Sequence, residues 1–392
     1  MKKIKVLFIL HSKSVDGSLL SSIDLIGALQ AYDVEIQIAG KKDLLRLPIF
    51  SDFLKRTKIT FHPVIIALSY KEKRRIKNSF SYFKFVIGRV PKKICSLFSL
   101  LRVIKNLSPD IVHTSTGVVQ EGFFASQILS IPHVWHLREY QDRDFGFQFY
   151  PSKTVFESLL KYSFSIPITK DIQKHFSLTK NNSKVIYDGV DKEGTVLKFE
   201  RQEKQKYFLC ASRISPEKGH EEVIRAFAKF ALKNPEYELR IAGEGLQDYT
   251  DKLKRLSKEL LGAYSPRVKF LGFQSPENTR FLMSQAQALI VASRSEGFGR
   301  MTAEATLHHC LVIGKQTGGT EEIINLCGGI GYSGNYEQLA QKMELLCQLP
   351  ETEKERMARE ASQRAINLFT NEASARQVRD YYDQIIFEKK VF

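Results

Sequence analysis

Short apolar runs alternate with stretches of helical period along the first half of the chain. The runs cover residues 5–10, 34–39, 111–114 and 134–137, and residues 19–29 carry a helical pattern. Runs of this length are typical of strands buried on both faces, and their alternation with helices indicates parallel βαβ units. The pattern therefore predicts an open α/β sheet here.

The second half repeats the same alternation. Apolar runs cover residues 208–211, 239–242, 268–271, 288–292 and 311–314. A helix is predicted over residues 221–232, with Ser215 as its N-cap and Pro216 at its first position. Residues 188–205 are polar and lack a period, so we place a domain boundary there. Residues 374–392 predict a last, amphipathic helix.

Polar or glycine-rich segments follow the predicted strands. In open α/β sheets ligands bind at the carboxyl ends of strands, and a cleft between two such domains is a common ligand site. The segment 295–304 joins a strand to a helix. Gly297 and Gly299 would let a ligand approach the backbone, and the amides that open the helix would donate to it. The alternative is an ordinary glycine-rich turn.

Arg213 and Lys218 follow the predicted strand at residues 208–211. Two cations beside a helix start indicate an anion site, most naturally for a diphosphate, although a solvated surface pair is the alternative. The glycine turns at 243–245 and 317–320 are weak signals alone. The chain contains neither the dinucleotide-binding glycine fingerprint nor a P-loop.

Taken together, these segments resemble the retaining glycosyltransferases of the GT-B fold, in particular the large family 4 group. Residues 296–304, EGFGRMTAE, are similar to that family's signature, and Arg213…Glu217-Lys218-Gly219 is similar to its diphosphate-binding element. The resemblance implies two Rossmann-like, doubly wound α/β domains that face a central cleft. Residues 1–190, joined by the C-terminal helix at about 376–392, would be the acceptor side, and residues 191–375 the donor-binding domain.

The resemblance also implies donor-side roles for individual residues. Arg213 and Lys218 would hold the donor diphosphate and stabilise it as it leaves, and Glu304 would bind the ribose hydroxyls. Glu296 would bind the hydroxyls of the donor sugar. The remaining donor-binding positions would be Gly17, Gly243, Gly245, Leu271, Gly297, Phe298 and Gly299.

In the N-terminal half the resemblance places His136 near the reacting carbon. The alternative is that His136 is a structural residue whose hydrogen bonds are all made within the protein. His113 and His133 are further candidates for the active-site histidine. Asp16, Ser18, His113 and Arg138 would lie on the acceptor side. Two departures stand out: Asp16-Gly17-Ser18 replaces a double glycine, and Asp188 replaces a frequent asparagine.

No metal or other cofactor is expected. The family generally needs no metal, and the closely spaced histidine pairs 133/136 and 308/309 lack a nearby carboxylate. Asp142 and Asp144 form an Asp-x-Asp pair, which we interpret as a solvated loop.

Composition narrows the class of protein. The 392 residues are 43% hydrophobic and 26% charged, which excludes a mainly disordered or coiled-coil chain. No apolar run reaches the 18 residues of a spanning helix. The five scattered cysteines predict no disulfide framework and favour a reducing cytoplasm.

The charge is concentrated in one stretch. Residues 41–106 hold 17 basic and 3 acidic residues, a net +14 of the chain's +16. Such an excess indicates an anionic partner. Within the stretch, Pro91 is predicted to open an amphipathic helix with Ile94, Leu97, Leu101 and Ile104 on one face. An anionic membrane surface on the inner face of the cytoplasmic membrane and a plain solvated surface stay open as explanations. Nucleic acid is not expected, because no recognisable nucleic-acid module is present.

The sequence thus predicts an enzyme, a hexosyltransferase-type protein. It would move a sugar with retention from a nucleoside-diphosphate sugar to a glycan or lipid-linked glycan in bacterial-type surface polysaccharide or glycoconjugate synthesis. The alternatives are a nucleotide-sugar epimerase and a non-catalytic nucleotide-sugar or membrane-binding protein on the same fold.

Overall fold

The chain folds into two units. The computed structural model describes residues 3–12, 14–72, 79–197 and 203–391. The first unit comprises Met1–Gly189 and Asn371–Phe392, and the second comprises Val190–Thr370. The C-terminal segment thus begins a few residues before the predicted position of about 376.

The first unit is built on a parallel sheet in the order β3-β2-β1-β5-β6-β8. A separate antiparallel pair is formed by β4 and β7. The strand bounds are β1 (Ile4–Leu10), β2 (Val34–Gly40), β3 (Thr60–Pro63), β4 (Tyr70–Glu72), β5 (Ile111–Thr114), β6 (His133–Leu137), β7 (Phe147–Phe149) and β8 (Phe164–Pro167).

Helices flank this sheet, and a short 3-10 turn covers Lys42–Arg46. The helix bounds are α1 (Gly17–Leu29), α2 (Pro48–Thr57), α3 (Ser79–Leu107), α4 (Glu121–Ile128), α5 (Lys153–Leu160) and α6 (Lys170–His175). The apolar strands lie between helices, as expected for a parallel sheet buried on both faces.

The prediction for α3 was wrong in its start and in one residue of its apolar face. The helix begins at Ser79 instead of Pro91, and Ile94 is exposed. The other residues of the predicted face, Leu97, Leu101 and Ile104, pack into the core as expected. Pro91 lies inside the helix, although proline is favoured only in a first turn. The buried positions are Ser96, Leu100 and Ile104. The apolar pattern missed Ser96, whose hydroxyl accepts the Ala67 amide at 3.2 Å.

The second unit has the same strand order, β11-β10-β9-β12-β13-β14. In both sheets the first three strands extend one way and the next three the other. This order creates a switch point between the first and fourth strands of each sheet. The bounds are β9 (Tyr207–Ala211), β10 (Glu238–Ala242), β11 (Val268–Gly272), β12 (Ala288–Val291), β13 (Val312–Lys315) and β14 (Ile330–Tyr332).

The start of the first long helix in this unit differs from the prediction. Residues Pro216–Lys218 form a 3-10 turn, Ser215 makes no capping bond, and the helix begins at His220. Gly219 separates the two pieces, with a φ of 74° that favours glycine. The helices are α7 (Glu193–Leu197), α8 (His220–Ala231), α9 (Gln247–Leu261), α10 (Pro276–Gln285), α11 (Arg300–Leu307), α12 (Gly318–Cys327), α13 (Tyr336–Gln348) and α14 (Glu351–Phe369).

The last helix, α15 (Asn371–Val391), packs in the first unit. Its buried Tyr381, Tyr382 and Ile385 share a core with Phe8 of β1. The Tyr32 hydroxyl of the α1–β2 turn donates to the Glu372 carbonyl at 3.3 Å. Residues far apart in sequence therefore complete one core.

All five cysteines belong to the described part of the chain, and all are free. Within the same part, no helix combines the length and the apolar character needed to span a bilayer.

Replacing Ile385 with alanine should destabilise the first unit. The side chain is fully buried, and deleting such a side chain typically costs about 2–5 kcal/mol, including the cavity it leaves. Urea unfolding measures the change. Gln384→Ala, an exposed neighbour on the same helix, serves as the control and should shift the unfolding free energy by no more than about 0.5 kcal/mol. Equal effects would mean that α15 does not depend on its buried face.

Candidate functional site

Two loops meet at the switch point of the second unit. One follows β9 and carries Arg213 and Lys218, and the other follows β12 and carries Glu296. The strands are direct neighbours in the sheet. The Arg294 amide donates to the Glu217 carbonyl at 2.9 Å and fastens one loop to the other. The fold thus brings the two strongest sequence signals together.

The closest contact between these loops joins Lys218 and Glu296. Lys218 Nζ lies 2.5 Å from Glu296 Oε1, and the Ser293 hydroxyl donates to the same oxygen at 2.7 Å. Both charged side chains are about four-fifths buried. Partial burial strengthens such a pair relative to one in bulk water. A cation and a carboxylate are therefore held side by side at a strand end.

Arg213 is arranged differently. Its guanidinium is 65% exposed and lies 2.8 Å from Glu217 Oε1, in an exposed pair of the kind that contributes little to stability. Arg213 can therefore change partners at low cost, whereas Lys218 is already engaged.

The glycine-rich loop at 297–299 leads directly into α11. Phe298 turns inward and packs edge-on against Phe369, with ring centroids 5.7 Å apart. Behind the loop, the Gly319 amide donates to the Glu296 carbonyl at 2.8 Å, and the Thr317 hydroxyl donates to the Ser293 carbonyl at 3.0 Å. The loop is predicted to bind its ligand through backbone amides, and the hydrogen bonds from Thr317 and Gly319 hold that backbone in place.

The turn at 243–245 supports the β9 loop. A Cβ atom on Gly243 would lie 1.9 Å from the Ser212 carbonyl oxygen, and one on Gly245 equally close to that of Ile214. Only glycine fits at such distances. Close loop packing thus accounts for both glycines, and their predicted contact with the nucleotide stays a prediction. Leu271 lies on β11 and is partly buried against the neighbouring core.

Glu304 lies on α11 with its side chain only 21% exposed. Burial raises the pKa of its carboxyl, and Arg300, 3.7 Å away, opposes this shift. A group of charges that the sequence analysis missed lies nearby. Asp191 Oδ2 lies 2.9 Å from His308 Nε2 and 3.4 Å from an Arg280 nitrogen.

These contacts hold the Asp191 carboxyl in its charged form. Burial alone would raise its pKa, but the bonds from His308 and the Lys192 amide, together with the Arg280 charge, lower it below its usual value. The contacts join residues 89 and 117 positions apart, so no local pattern could have indicated them.

In the first unit, His136 belongs to a buried polar network. His113 lies between Tyr382, whose hydroxyl is 2.6 Å from His113 Nδ1, and His136, whose Nδ1 is 3.1 Å from His113 Nε2. Arg138 approaches the same His136 nitrogen at 3.2 Å and pairs with Asp188 at 3.0 Å. Asp188, noted as a departure from asparagine, thus has a charged partner.

The network assigns the protons of both histidines. Burial is the largest cause that holds their pKa values well below the usual 6.5, so both rings are neutral. Arginine can only donate, so His136 Nδ1 accepts and its Nε2 carries the hydrogen. Asp188 Oδ1 lies 3.5 Å from that Nε2. His113 then donates to His136 and accepts from the Tyr382 hydroxyl.

Asp16, Gly17 and Ser18 lie at the start of α1. The Asp16 carboxylate caps the helix by accepting the Leu19 amide at 2.9 Å, which gives it a structural task beside its predicted one. The Ser18 carbonyl accepts the Ser22 hydroxyl at 2.7 Å. Asp16 and Gly17 are exposed, whereas His113 is fully buried and Arg138 nearly so.

The Asp-x-Asp loop is less solvated than expected. Asp142 Oδ1 lies 3.0 Å from His175 Nε2, and Asp144 accepts the Tyr140 amide at 2.8 Å. Burial raises the pKa of Asp144 to about 6. Among the described residues, no group of three or more His, Cys, Asp or Glu side chains is arranged to hold a metal ion.

The second unit is similar in sequence to known proteins. Residues 192–364 match the family described as glycosyl transferases, group 1. All of the matched residues lie in the second unit. An uncharacterized glycosyltransferase of Methanocaldococcus jannaschii is 26% identical over 70% of this chain and 75% of its own length. The family predicted from the motifs is thereby confirmed at the level of group 1.

A second relative, from Campylobacter jejuni, is 30% identical over 37% of this chain and 38% of its own. It is named N-acetylgalactosamine-N,N'-diacetylbacillosaminyl-diphospho-undecaprenol 4-alpha-N-acetylgalactosaminyltransferase. Other curated relatives match over only 25–46% of their length.

The crystal structure of HepE from Anabaena in complex with UDP has a similar fold. The TM-score is 0.75 at 21% identity, over 97% of this chain and all of that one. The predicted α/β, GT-B class is thereby confirmed.

Glu139 provides a test of the polar interior beside His136. Burial raises the pKa of its carboxyl from 4.5 to about 7, against the hydrogen bond from Thr116, and Asp144 adds to the shift. Between pH 4.5 and 7 the unfolded chain ionises while the folded carboxyl keeps its proton. The contribution of Glu139 to the free energy of unfolding should therefore fall across this range, by up to about 3 kcal/mol.

Glu139→Gln should remove this contribution, because an amide does not titrate and can still accept from Thr116. Between pH 5 and pH 8 the variant should therefore lose less stability, or gain more, than wild type, as measured by urea unfolding. The exposed Glu259→Gln should keep the wild-type pH dependence. A Glu139→Gln variant with the same pH dependence as wild type would contradict the raised pKa.

Proposed function

We propose that the protein is a retaining glycosyltransferase of the family 4 type. It moves a sugar from a nucleoside-diphosphate sugar to a glycan or lipid-linked glycan in surface polysaccharide or glycoconjugate synthesis. The observation that carries this proposal is the placement of Lys218 beside Glu296 at the switch point of a group 1 domain. Ligands of doubly wound sheets bind at this point.

The donor diphosphate would bind between the two loops. Arg213, which is exposed and weakly paired, would turn to it, and Lys218 would contact it on the side away from Glu296. The amides at the start of α11 would add further donors. As the sugar departs, negative charge builds on the diphosphate, and fixed donors in a partly buried site stabilise that charge. In this proposal the reaction needs no metal ion.

Glu296 would then bind the hydroxyls of the donor sugar. Its Oε1 already accepts from Lys218 and Ser293, which fixes the orientation of the carboxylate. Glu304 would bind the ribose. Since its pKa is raised, the proposal requires a ligand whose hydroxyls donate to the carboxylate and favour its charged form.

His136 would act as a hydrogen-bond donor to the reacting sugar rather than as a base. Its Nδ1 accepts from its neighbours, and only Nε2 carries a hydrogen. His113 and Arg138 hold this arrangement, so we assign them a positioning role. Asp16 and Ser18 remain for direct contact with the acceptor.

A lipid-linked acceptor is one form of this proposal. The Campylobacter relative is named for a diphospho-undecaprenol substrate, which motivates the choice. Cytoplasmic location belongs to the same proposal and is supported by the free cysteines. Sugar transfer to an added acceptor would separate this function from an epimerase, which changes the donor alone, and from a binding protein, which changes nothing.

The nucleotide is identified by thermal unfolding with UDP, GDP, dTDP, ADP and CDP in turn. A ligand at 100 times its dissociation constant adds about 2.7 kcal/mol, a shift of a few degrees. Lys218→Ala should weaken binding of the active nucleotide by about 1.5–3 kcal/mol, since it removes a charged hydrogen bond. Lys252→Ala, which breaks an exposed pair with Glu221, is the matched control and should bind normally. Unchanged affinity in Lys218→Ala would remove Lys218 from the site.

Glu304→Ala should weaken binding of the nucleoside diphosphate more than binding of pyrophosphate, because only the former carries ribose hydroxyls. Isothermal titration with both ligands measures the two losses. Glu259→Ala should alter neither. Equal losses for the two ligands would show that Glu304 does not contact the ribose.

A further inference from the structure

Helix α3 carries an uncovered apolar face. Six large side chains along it are between 42% and 66% exposed, although each is of a type usually buried. They recur at intervals of three or four residues, which places them on one face of a helix. This apolar stripe consists of Phe80, Phe83, Ile87, Val90, Ile94 and Phe98.

The stripe is not the face that holds the helix to its unit. Ser96, Leu100 and Ile104 occupy another side and are fully buried. Near the start of the helix, the Tyr82 hydroxyl donates to the Pro151 carbonyl at 2.7 Å. The helix is thus anchored by its other faces while the stripe stays uncovered. Contiguous apolar surface of this kind marks an interaction site.

The charge around the stripe has a single sign. Residues 79–109 contain six basic residues and no acidic one. Lys84 and Arg102 are exposed, and the Lys84 ammonium lies 4.6 Å from the ring centre of Phe80. This is a cation–π contact, and it places a basic and an apolar group of the helix on the same exposed surface. The basic segment 73–78 lies outside the described residues.

We propose that the apolar stripe of α3 inserts into the surface of an anionic lipid bilayer while the flanking lysines and arginines bind the lipid headgroups. A basic amphipathic helix with exposed phenylalanines has the chemistry of an interfacial helix. A second copy of the chain would bring two strongly basic helices together, and nucleic acid would leave six apolar side chains unused. The sequence analysis left a membrane surface open as one explanation of the basic residues 41–106, and the stripe adds an apolar surface within that region.

The inference rests on this surface and not on the proposed function. The test compares binding to vesicles of phosphatidylcholine alone and of phosphatidylcholine mixed with phosphatidylglycerol. The stripe variant carries Phe83→Ser, Ile87→Ser and Ile94→Ser. It should bind mixed vesicles at least about tenfold more weakly than wild type, since lipid insertion scales with buried apolar area.

The matched control carries Tyr162→Ser, Leu232→Ser and Phe387→Ser, which remove three apolar side chains elsewhere that are more exposed than those of the stripe. It should bind as wild type does. Lys84→Gln with Arg102→Gln should weaken binding to mixed vesicles only. An unchanged urea-unfolding transition shows that the variants are folded, and retained nucleoside diphosphate binding separates this test from that of the donor site.

Two results would overturn the inference. One is wild-type vesicle binding by the stripe variant. The other is a concentration-dependent oligomer or a polynucleotide complex, in the absence of lipid, that the stripe variant abolishes.

A second measurement leaves the stripe intact. Cys95 lies beside Ile94 and is exposed, so an environment-sensitive fluorophore can be attached to it in a Cys347→Ser background. Its emission should shift to the blue on mixed vesicles and stay unchanged on neutral ones. No shift on mixed vesicles would contradict insertion, even if the triple variant fails to fold.

Discussion

Burial of parallel strands on both faces governs where this protein can place polar chemistry. The central strands β5, β6, β9 and β12 are buried and carry no Lys, Arg, Asp or Glu, so the charged groups near them lie in the loops at their ends. Both sheets share one strand order, and each therefore has one point where neighbouring strands send their loops in opposite directions. In the second unit this is where Lys218 meets Glu296. In the first unit, buried histidines extend from the strands themselves and require a network of partners.

The two polar regions offset the free-energy cost of burying polar groups in different ways. The Lys218–Glu296 pair keeps its charge by direct contact, supported by the Ser293 hydroxyl. His113 and His136 give up their charge, and their neighbouring donors then fix which ring nitrogen holds the hydrogen. The charged pair thus keeps a cation and a carboxylate at a strand end, whereas the neutral rings are held in one orientation.

The sequence predicted the long buried strands to within one or two residues, because uninterrupted apolar runs leave little choice. It did not indicate β3, β4, β7, β8 or β14, because runs of only three or four residues give little pattern to read. It misjudged α3, where a buried serine breaks the apolar pattern. The motif residues of the second unit were found from sequence, but their partners were not. Arg138 and Asp188 lie 50 positions apart, and no local spacing encodes such a pair.

Helix α15 has a consequence for the order in which the chain becomes folded during synthesis. Residues 190–370 form a unit inserted between the two parts of another. When the ribosome has made residue 189, the core around β1 still lacks Tyr381, Tyr382 and Ile385. The inserted unit can reach its native contacts first, whereas the core of the first unit stays incomplete until α15 has been synthesised. Nascent chains of this architecture thus expose apolar surface near their beginning until the last helix has emerged.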